Sequence, residues 1–274
     1  MRRARALVAA SHPGPSLAIT ALTVLLVAQA APHGIGPALT APAMLALQFS
    51  IGWSNDAFDA DRDAAARRKD KPIATGAIGP GPVRTAAVLS LLAALGMALA
   101  IGVVTGIITA LMAAAGWAYN AGLKSTLASG LMYLAGFGLI PAYATSTLPG
   151  HPWPRWQVTV AAALIGLGAH FANVLPDLAA DRATGVRGLP QRVAASSGER
   201  GVRACAIVLL LAASVLLLAA ARPGRRWIAA AGLAAAAVLA VLGARGGGRV
   251  PFVAAIGIAA VDVVLFAAGG EALR

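Results

Sequence analysis

Apolar runs long enough to cross a bilayer recur nine times along this chain, near 15–32, 38–57, 84–104, 106–121, 127–147, 158–177, 204–221, 226–243 and 250–268. A spanning helix needs about 20 mostly apolar residues, and lipid offers backbone N–H and C=O groups no partner outside the helix. Composition agrees. Of the 274 residues 59% are hydrophobic and 12% charged, with a mean hydropathy of +0.77; a soluble domain carries roughly 25% charged residues. The alternating polarity of a membrane β-barrel is absent. The expectation is an all-α polytopic membrane protein, about nine transmembrane helices in a bundle around a central apolar cavity, forming a single domain over 1–274.

The net charge of +12 alone would suit a nucleic-acid binder. Its distribution argues against one. With the N-terminus in the cytoplasm and nine alternating spans, the cytoplasmic segments carry Arg2, Arg3, Arg5, Arg62, Arg67, Arg68, Lys69, Lys71, Arg84, Lys124, Arg182, Arg187, Arg192, Arg200, Arg203, Arg245 and Arg249. The opposite side carries Arg155, Arg222, Arg225, Arg226 and Arg274. That is the positive-inside bias, with Arg222–Arg226 as its weakest point. A basic cytoplasmic face suits anionic lipids and anionic substrates. Cys205 is the only cysteine, so no intramolecular disulfide forms, and its apolar setting reads as inert packing. The arginines at the N-terminus, an apolar run and Ala28-Gln29-Ala30 mimic a signal peptide, but in so apolar a chain an uncleaved first span is the simpler expectation. No obligatory protein partner is expected.

Six of the ten acidic residues fall in two short segments, each closing an apolar run. The first holds Asn55, Asp56, Asp59, Asp61 and Asp63; the second holds Asn173, Asp177 and Asp181. Carboxylates beside a membrane interior are costly and mark functional sites. Residues three or four apart share a helix face, so Asn55, Asp56, Asp59 and Asp63 project together while Asp61 points to solvent. Asn173, Asp177 and Asp181 repeat the spacing of four. Pro176 breaks the pattern, freeing backbone near Ala172. A polar, basic connection follows each segment, about 58–83 and 178–203. The opposite connection, Leu148–Gln157, holds Pro149, Pro152 and Pro154 and must be non-helical.

Hard cations such as Mg²⁺ take oxygen ligands, few of them from protein, with phosphate and water completing the shell. Two carboxylate clusters suit two or three such ions holding a diphosphate, whose growing charge they would neutralise as its C–O bond breaks. Arg67, Arg68, Lys69, Lys71, Lys124, Arg182, Arg187 and Arg192 are the nearby donors for diphosphate oxygens. The bland reading is that isolated acids at helix ends are solvated interface residues; two matched motifs on one side weigh against it. For any single basic residue, positive-inside topology is an equal explanation, and Tyr119 could be an interfacial anchor. His12, His33 and His151 lack metal-ligand spacing. His170, three residues before Asn173, could line the site. Asp262, inside the ninth run, is not read as catalytic.

Asn55-Asp56-x-x-Asp59-x-x-x-Asp63 resembles the first signature of the UbiA superfamily of intramembrane prenyltransferases. Asp177-x-x-x-Asp181, with Arg182, Gly185 and Gly188-Leu189-Pro190, resembles its second. Asp70-Lys71-Pro72-Ile73-Ala74-Thr75-Gly76 is similar to the basic-Pro-Ile-x-x-Gly segment that follows the first, and Tyr119 and Lys124 match a tyrosine and lysine near the fourth helix. The resemblance implies Mg²⁺ as cofactor, held by Asn55, Asp56, Asp59, Asp63, Asp177 and Asp181, with Asn173 added on spacing. It implies Arg68, Lys71, Lys124 and Arg182 as diphosphate ligands, and Asp59, Asp177, Lys124 and Tyr119 as catalytic. Ionisation of an isoprenyl diphosphate would give an allylic cation that an acceptor, most often aromatic, attacks. A UbiA-type terpene cyclase would use the same metal site and quench the cation within its own chain. A transporter fits less well, because transporters place charged groups near the midplane. A CDP-alcohol phosphotransferase would need a Gly and Ala-Arg pattern absent around Asp56–Asp63.

Overall fold

The computed structural model describes residues 2–30, 33–246 and 250–268, and these contain twelve α-helices and no strand. Arg249 and Arg274, counted above in the charge balance, lie outside the described residues. The chain packs as two compact units. One runs to Gly122 and includes Ser146–His151; the other comprises Leu123–Thr145 and the chain from Pro152 onward.

The first unit holds α1 (Arg2–Ala10), α2 (Pro13–Ala30), α3 (Ile35–Phe58), α4 (Ala60–Ala65), α5 (Pro80–Ile101) and α6 (Val103–Asn120). The sequence reading did not foresee α1. At nine residues it is far too short to span, and it buries Ala6 and Ala10 while Arg3 and Arg5 stay exposed. Pro13 opens α2 and Pro80 opens α5, positions whose missing N–H costs a helix nothing. The packing of α5 shows what solvent it faces. It buries Ala87, Ala94 and Ala98 and exposes Leu89, Leu92 and Leu99. Between helices in lipid, burying a leucine gains nothing over leaving it among acyl chains, so small residues take the contacts and let backbones approach. Polar side chains add fixed points, Ser90 Oγ donating to the Ala46 carbonyl at 2.8 Å and Trp117 Nε1 to Ser50 Oγ at 3.1 Å.

The second unit holds α7 (Ser129–Ser146, whose last residue belongs to the first), α8 (Trp156–Val174), α9 (Leu178–Ala183), α10 (Leu189–Ala220), α11 (Arg226–Arg245) and α12 (Val250–Ala268). Gly198, at φ 69°, kinks α10, and the apolar run begins a few residues later, after Glu199, Arg200 and Arg203. The core of this unit is built on Val202, Ala206, Leu210, Ala236 and Ile258. Asp262 is fully buried and accepts a hydrogen bond from Ser214 Oγ.

Each of the nine expected spans falls on a helix. By length and composition seven helices can cross a membrane, Val250–Phe266 is a shorter apolar helix, and the expected span at 127–147 falls on α7, which is not among the seven. The protein is an integral membrane protein.

Candidate functional site

The first acidic motif lies where α3 passes into α4. Helical hydrogen bonding runs through the junction, from the Asp59 N–H to the Asn55 carbonyl at 3.0 Å and from the Asp63 N–H to the Asp59 carbonyl at 2.8 Å. The fourfold spacing therefore keeps its register. Asp56, Asp59 and Asp63 are 2%, 6% and 4% exposed, Asn55 is half-buried and Asp61 is exposed, as the helical face requires. Buried carboxylates need partners. Lys71 Nζ donates to Asp56 Oδ1 at 2.6 Å, and His12 Nε2 lies 2.8 Å from the same oxygen. Arg62 Nη2 donates to Asp59 Oδ2 at 2.7 Å. Asn55 Nδ2 donates to Asn120 Oδ1 at 3.2 Å, and Asn120 Nδ2 reaches the Ile51 carbonyl and Ser54 Oγ, fixing the end of α6 to α3 next to half-buried Tyr119. Burial pushes the Asp63 carboxyl up from its ordinary value, with the charge of Asp59 adding to it against the pull of Lys71, Arg62 and Arg68.

Lys71 is placed by a chain of tight turns after α4. The N–H groups of Thr75, Gly76 and Ala77 bond to the carbonyls of Lys71, Ile73 and Pro72. Pro72 is buried, and Ile73 packs with Leu7, Trp53, Ala57 and Ile78. Arg68 is held differently. Its Nε and Nη2 both donate to Asp70, at 2.9 and 2.8 Å. That fork lowers the Asp70 carboxyl to about 2, burial opposing it. Because the folded value lies below the ordinary 3.8, the stabilisation is present above pH 4 and is lost as pH falls through about 2. The segment 66–76 is expected to resist pepsin at pH 4 and to be cut as the pH approaches 2; equal cutting at both would show that the pair does not hold the loop.

The second motif differs from its sequence expectation. Pro176 has no N–H to give the Ala172 carbonyl, and the Leu175 N–H takes that carbonyl instead, ending α8 at Val174. A 3₁₀ turn, Leu175–Asp177, leads into α9. Asn173, Asp177 and Asp181 thus do not ride on one continuous helix. Asn173 and Asp177 are exposed, while Asp181 is half-buried and accepts a hydrogen bond from Gln191 Nε2 at 2.7 Å. Arg182 is exposed, on the wall of a cavity of about 360 Å³. Lys124 sits half-buried in the 3₁₀ turn Leu123–Ser125, and its carbonyl lies so close to Gly188 that any Cβ there would collide with it. His170 does not join Asn173 at the surface. It is buried, stacks on Tyr133 at 4.3 Å and lies 3.1 Å from Ser129 Oγ, which also accepts the Leu189 N–H.

The donors fit a hard divalent cation. They are oxygens, mostly carboxylate, and Asp56 Oδ2 is buried with no hydrogen-bond partner among the described residues. Among the described residues no three His, Cys, Asp or Glu side chains converge as a complete cage. Mg²⁺ commonly takes one or two protein carboxylates and completes its shell with phosphate and water. Sequence reasoning missed three polar neighbours of the motifs: His12, Asn120 and Gln191. Forty-four residues separate His12 from Asp56 and sixty-five separate Asn120 from Asn55, so no local spacing signals either contact.

Comparison with solved structures finds the same fold over nearly the whole chain. A UbiA homologue from Archaeoglobus fulgidus bound to DMAPP and Mg²⁺ matches with a TM-score of 0.71 at 16% identity, covering 97% of this chain and 99% of that one. A structure described for digeranylgeranylglyceryl phosphate synthase matches with a TM-score of 0.70 at 14% identity, covering 98% and 99%. The apo UbiA homologue from Aeropyrum pernix K1 matches at 0.64 and 18% identity, covering 93% and 94%. Searched by sequence, the curated proteins give no match. The profile of the UbiA prenyltransferase family matches residues 16–266. The match takes in both aspartate motifs and reaches from α2 into α12, and the chain belongs to the UbiA prenyltransferase family.

Proposed function

We propose that the protein transfers a prenyl group from an isoprenyl diphosphate to an acceptor within the membrane, with Mg²⁺ as cofactor. The observation that carries this is the end of α3, where three carboxylates of a membrane-spanning segment and its continuation are buried together beside Lys71 and Arg62. Burying charge at that depth is costly. A metal–diphosphate site gives the cluster a purpose that a solvated helix end does not. The relatives solved with DMAPP and with GPP, each with Mg²⁺, support the same donor class.

In this reading Asn55, Asp56, Asp59, Asp63, Asn173, Asp177 and Asp181 hold the metal, which when bound neutralises charge on the leaving diphosphate. Lys71, Lys124 and Arg182 donate to diphosphate oxygens, with Arg68 joining once it leaves Asp70. Tyr119 lies one residue from Asn120, at the end of α6 that is fixed to the first motif, and is assigned to the reacting end of the substrate. The C1–O bond breaks with its electron pair leaving on diphosphate, an electron pair of the acceptor forms the new bond to C1, and the acceptor releases a proton. An aromatic acceptor is the proposed class, from the family's habit. The positive-inside bias supports an orientation with the N-terminus and both motif loops in the cytoplasm, and the cell membrane is the proposed location.

Mass spectrometry of products tests this, using protein purified in detergent with Mg²⁺, allylic diphosphates of several lengths and a pool of aromatic and lipid acceptors. A Mg²⁺-dependent prenylated adduct is the expected result, and it names the acceptor. Terpene hydrocarbon or alcohol alone would assign the protein as a cyclase. No diphosphate consumed by folded protein would overturn the proposal.

A further inference from the structure

The residue that links the N-terminal helix to the first span has an unusual backbone. His12 sits between α1 and α2 at φ 53°, in the left-handed region, directly before Pro13. A side-chain-bearing residue is uncommon there, and such strain persists only where the surroundings over-determine it. They do so here. Ser11 is fully buried, its carbonyl accepts from Ser16 Oγ at 3.0 Å, and it lies against the backbone of Gly52 on α3. Trp53 Nε1 donates to the Leu7 carbonyl at 2.8 Å, and Ala6 and Leu7 pack with Ala57, Ile73, Ile78 and Val83. The N-terminal segment is thereby seated on the stretch of α3 that carries Asn55 and Asp56.

The imidazole meets Asp56. Nε2 lies 2.8 Å from Asp56 Oδ1 and 3.2 Å from Lys71 Nζ, which itself donates to that oxygen. Nε2 lies closer to the carboxylate than to the ammonium, the arrangement of the Nε2–H tautomer, which donates to Oδ1; the other tautomer would instead accept from Lys71 Nζ. Two donors thus converge on Oδ1, while buried Oδ2 has no partner among the described residues. A carboxylate fixed through one oxygen has its other oxygen set in a defined direction. This is how hydrogen bonds from outside the ligand set orient metal-binding carboxylates.

We propose that His12 is a positioning residue, which fixes the Asp56 carboxylate through Oδ1 and leaves Oδ2 for the divalent cation. The N-terminal segment is thus part of the metal site. This rests on the reading of Asp56 as a metal ligand.

The backbone provides the test. Glycine accepts a left-handed φ without strain, so His12→Gly removes the imidazole while easing the turn. His12→Gln keeps an N–H donor at similar reach, and Trp53→Phe removes the Leu7 anchor without touching Asp56. Calorimetry would titrate Mg²⁺ into full-length protein in detergent holding a non-hydrolysable geranyl thiodiphosphate, with Tm measured alongside. His12→Gly is expected to weaken Mg²⁺ binding at least about tenfold, the scale on which such supporting contacts act, at an unchanged or higher Tm. His12→Gln is expected to bind close to wild type, and Trp53→Phe to lower Tm more than affinity. Wild-type affinity in His12→Gly, or equal weakening in His12→Gln, would each overturn the proposal. No Mg²⁺ binding by the wild-type complex would overturn the functional reading as well, a result distinct from the other two.

Discussion

Asp177→Ala is expected to lower turnover of an isoprenyl diphosphate about a thousandfold and to leave folding intact. The first half follows from charge. A carboxylate that holds the cation opposite a departing diphosphate contributes several kcal/mol to the barrier, and about 4 kcal/mol corresponds to a thousandfold in rate. The second half follows from position. Asp177 is exposed and its side chain makes no hydrogen bond or ion pair among the described residues. Substitutions at such sites stay within about 0.5 kcal/mol, or about 2 °C in Tm for a chain of this size. Single-turnover rates at saturating Mg²⁺, with Tm on the same preparation, check both halves. Near-wild-type rates would remove the second motif from the metal site. Asp56→Ala is a poorer experiment, because it leaves half-buried Lys71 without its carboxylate and mixes lost stability with lost function.

Gly52→Ala is expected to have the largest effect on stability of any single methyl added to α3. Its Cβ would fall on the Ser11 carbonyl, which is backbone and cannot swing aside as a side-chain tip does. The turn is already strained at His12 and buried at Ser11, so the overlap can be relieved only by lifting the N-terminal segment off α3. Overpacking of this kind costs about 1–3 kcal/mol, which lowers Tm by several degrees. The same displacement would part His12 from Asp56, so Mg²⁺ affinity should fall with Tm. That coupling separates Gly52→Ala from His12→Gly, where affinity falls alone. A Tm equal to wild type would mean that the turn does not sit on Gly52.

The spans were legible because lipid imposes one rule on every stretch of backbone, and the rule shows as length and apolarity. The first motif was legible because a continuous helix carried its spacing of four from Asn55 to Asp63. The second was legible as residues but not as geometry. Proline's missing N–H was foreseen, but not that the Leu175 N–H would take the freed carbonyl and turn the chain, separating Asp177 from the face of α8. His12 was read as a terminal histidine without ligand spacing. Its role comes from a helix too short and too polar to register as a span, docked by Trp53 and Gly52 far along the chain. Contacts of that kind depend on which surfaces meet, and periodicity within one segment does not encode them.

The alanine face of α5 bears on how this protein could be handled. In water, folding is driven by hiding leucine; here Leu89, Leu92 and Leu99 point outward and the contacts belong to Ala87, Ala94 and Ala98. Chemistry and adhesion are therefore written on different residues from those that make the molecule insoluble. A redesign that repaints Leu89 and Leu92 with glutamate, lysine or glutamine would spare the alanine contacts of α5, whereas Leu99 must stay, because its side chain packs over Gly106 of α6.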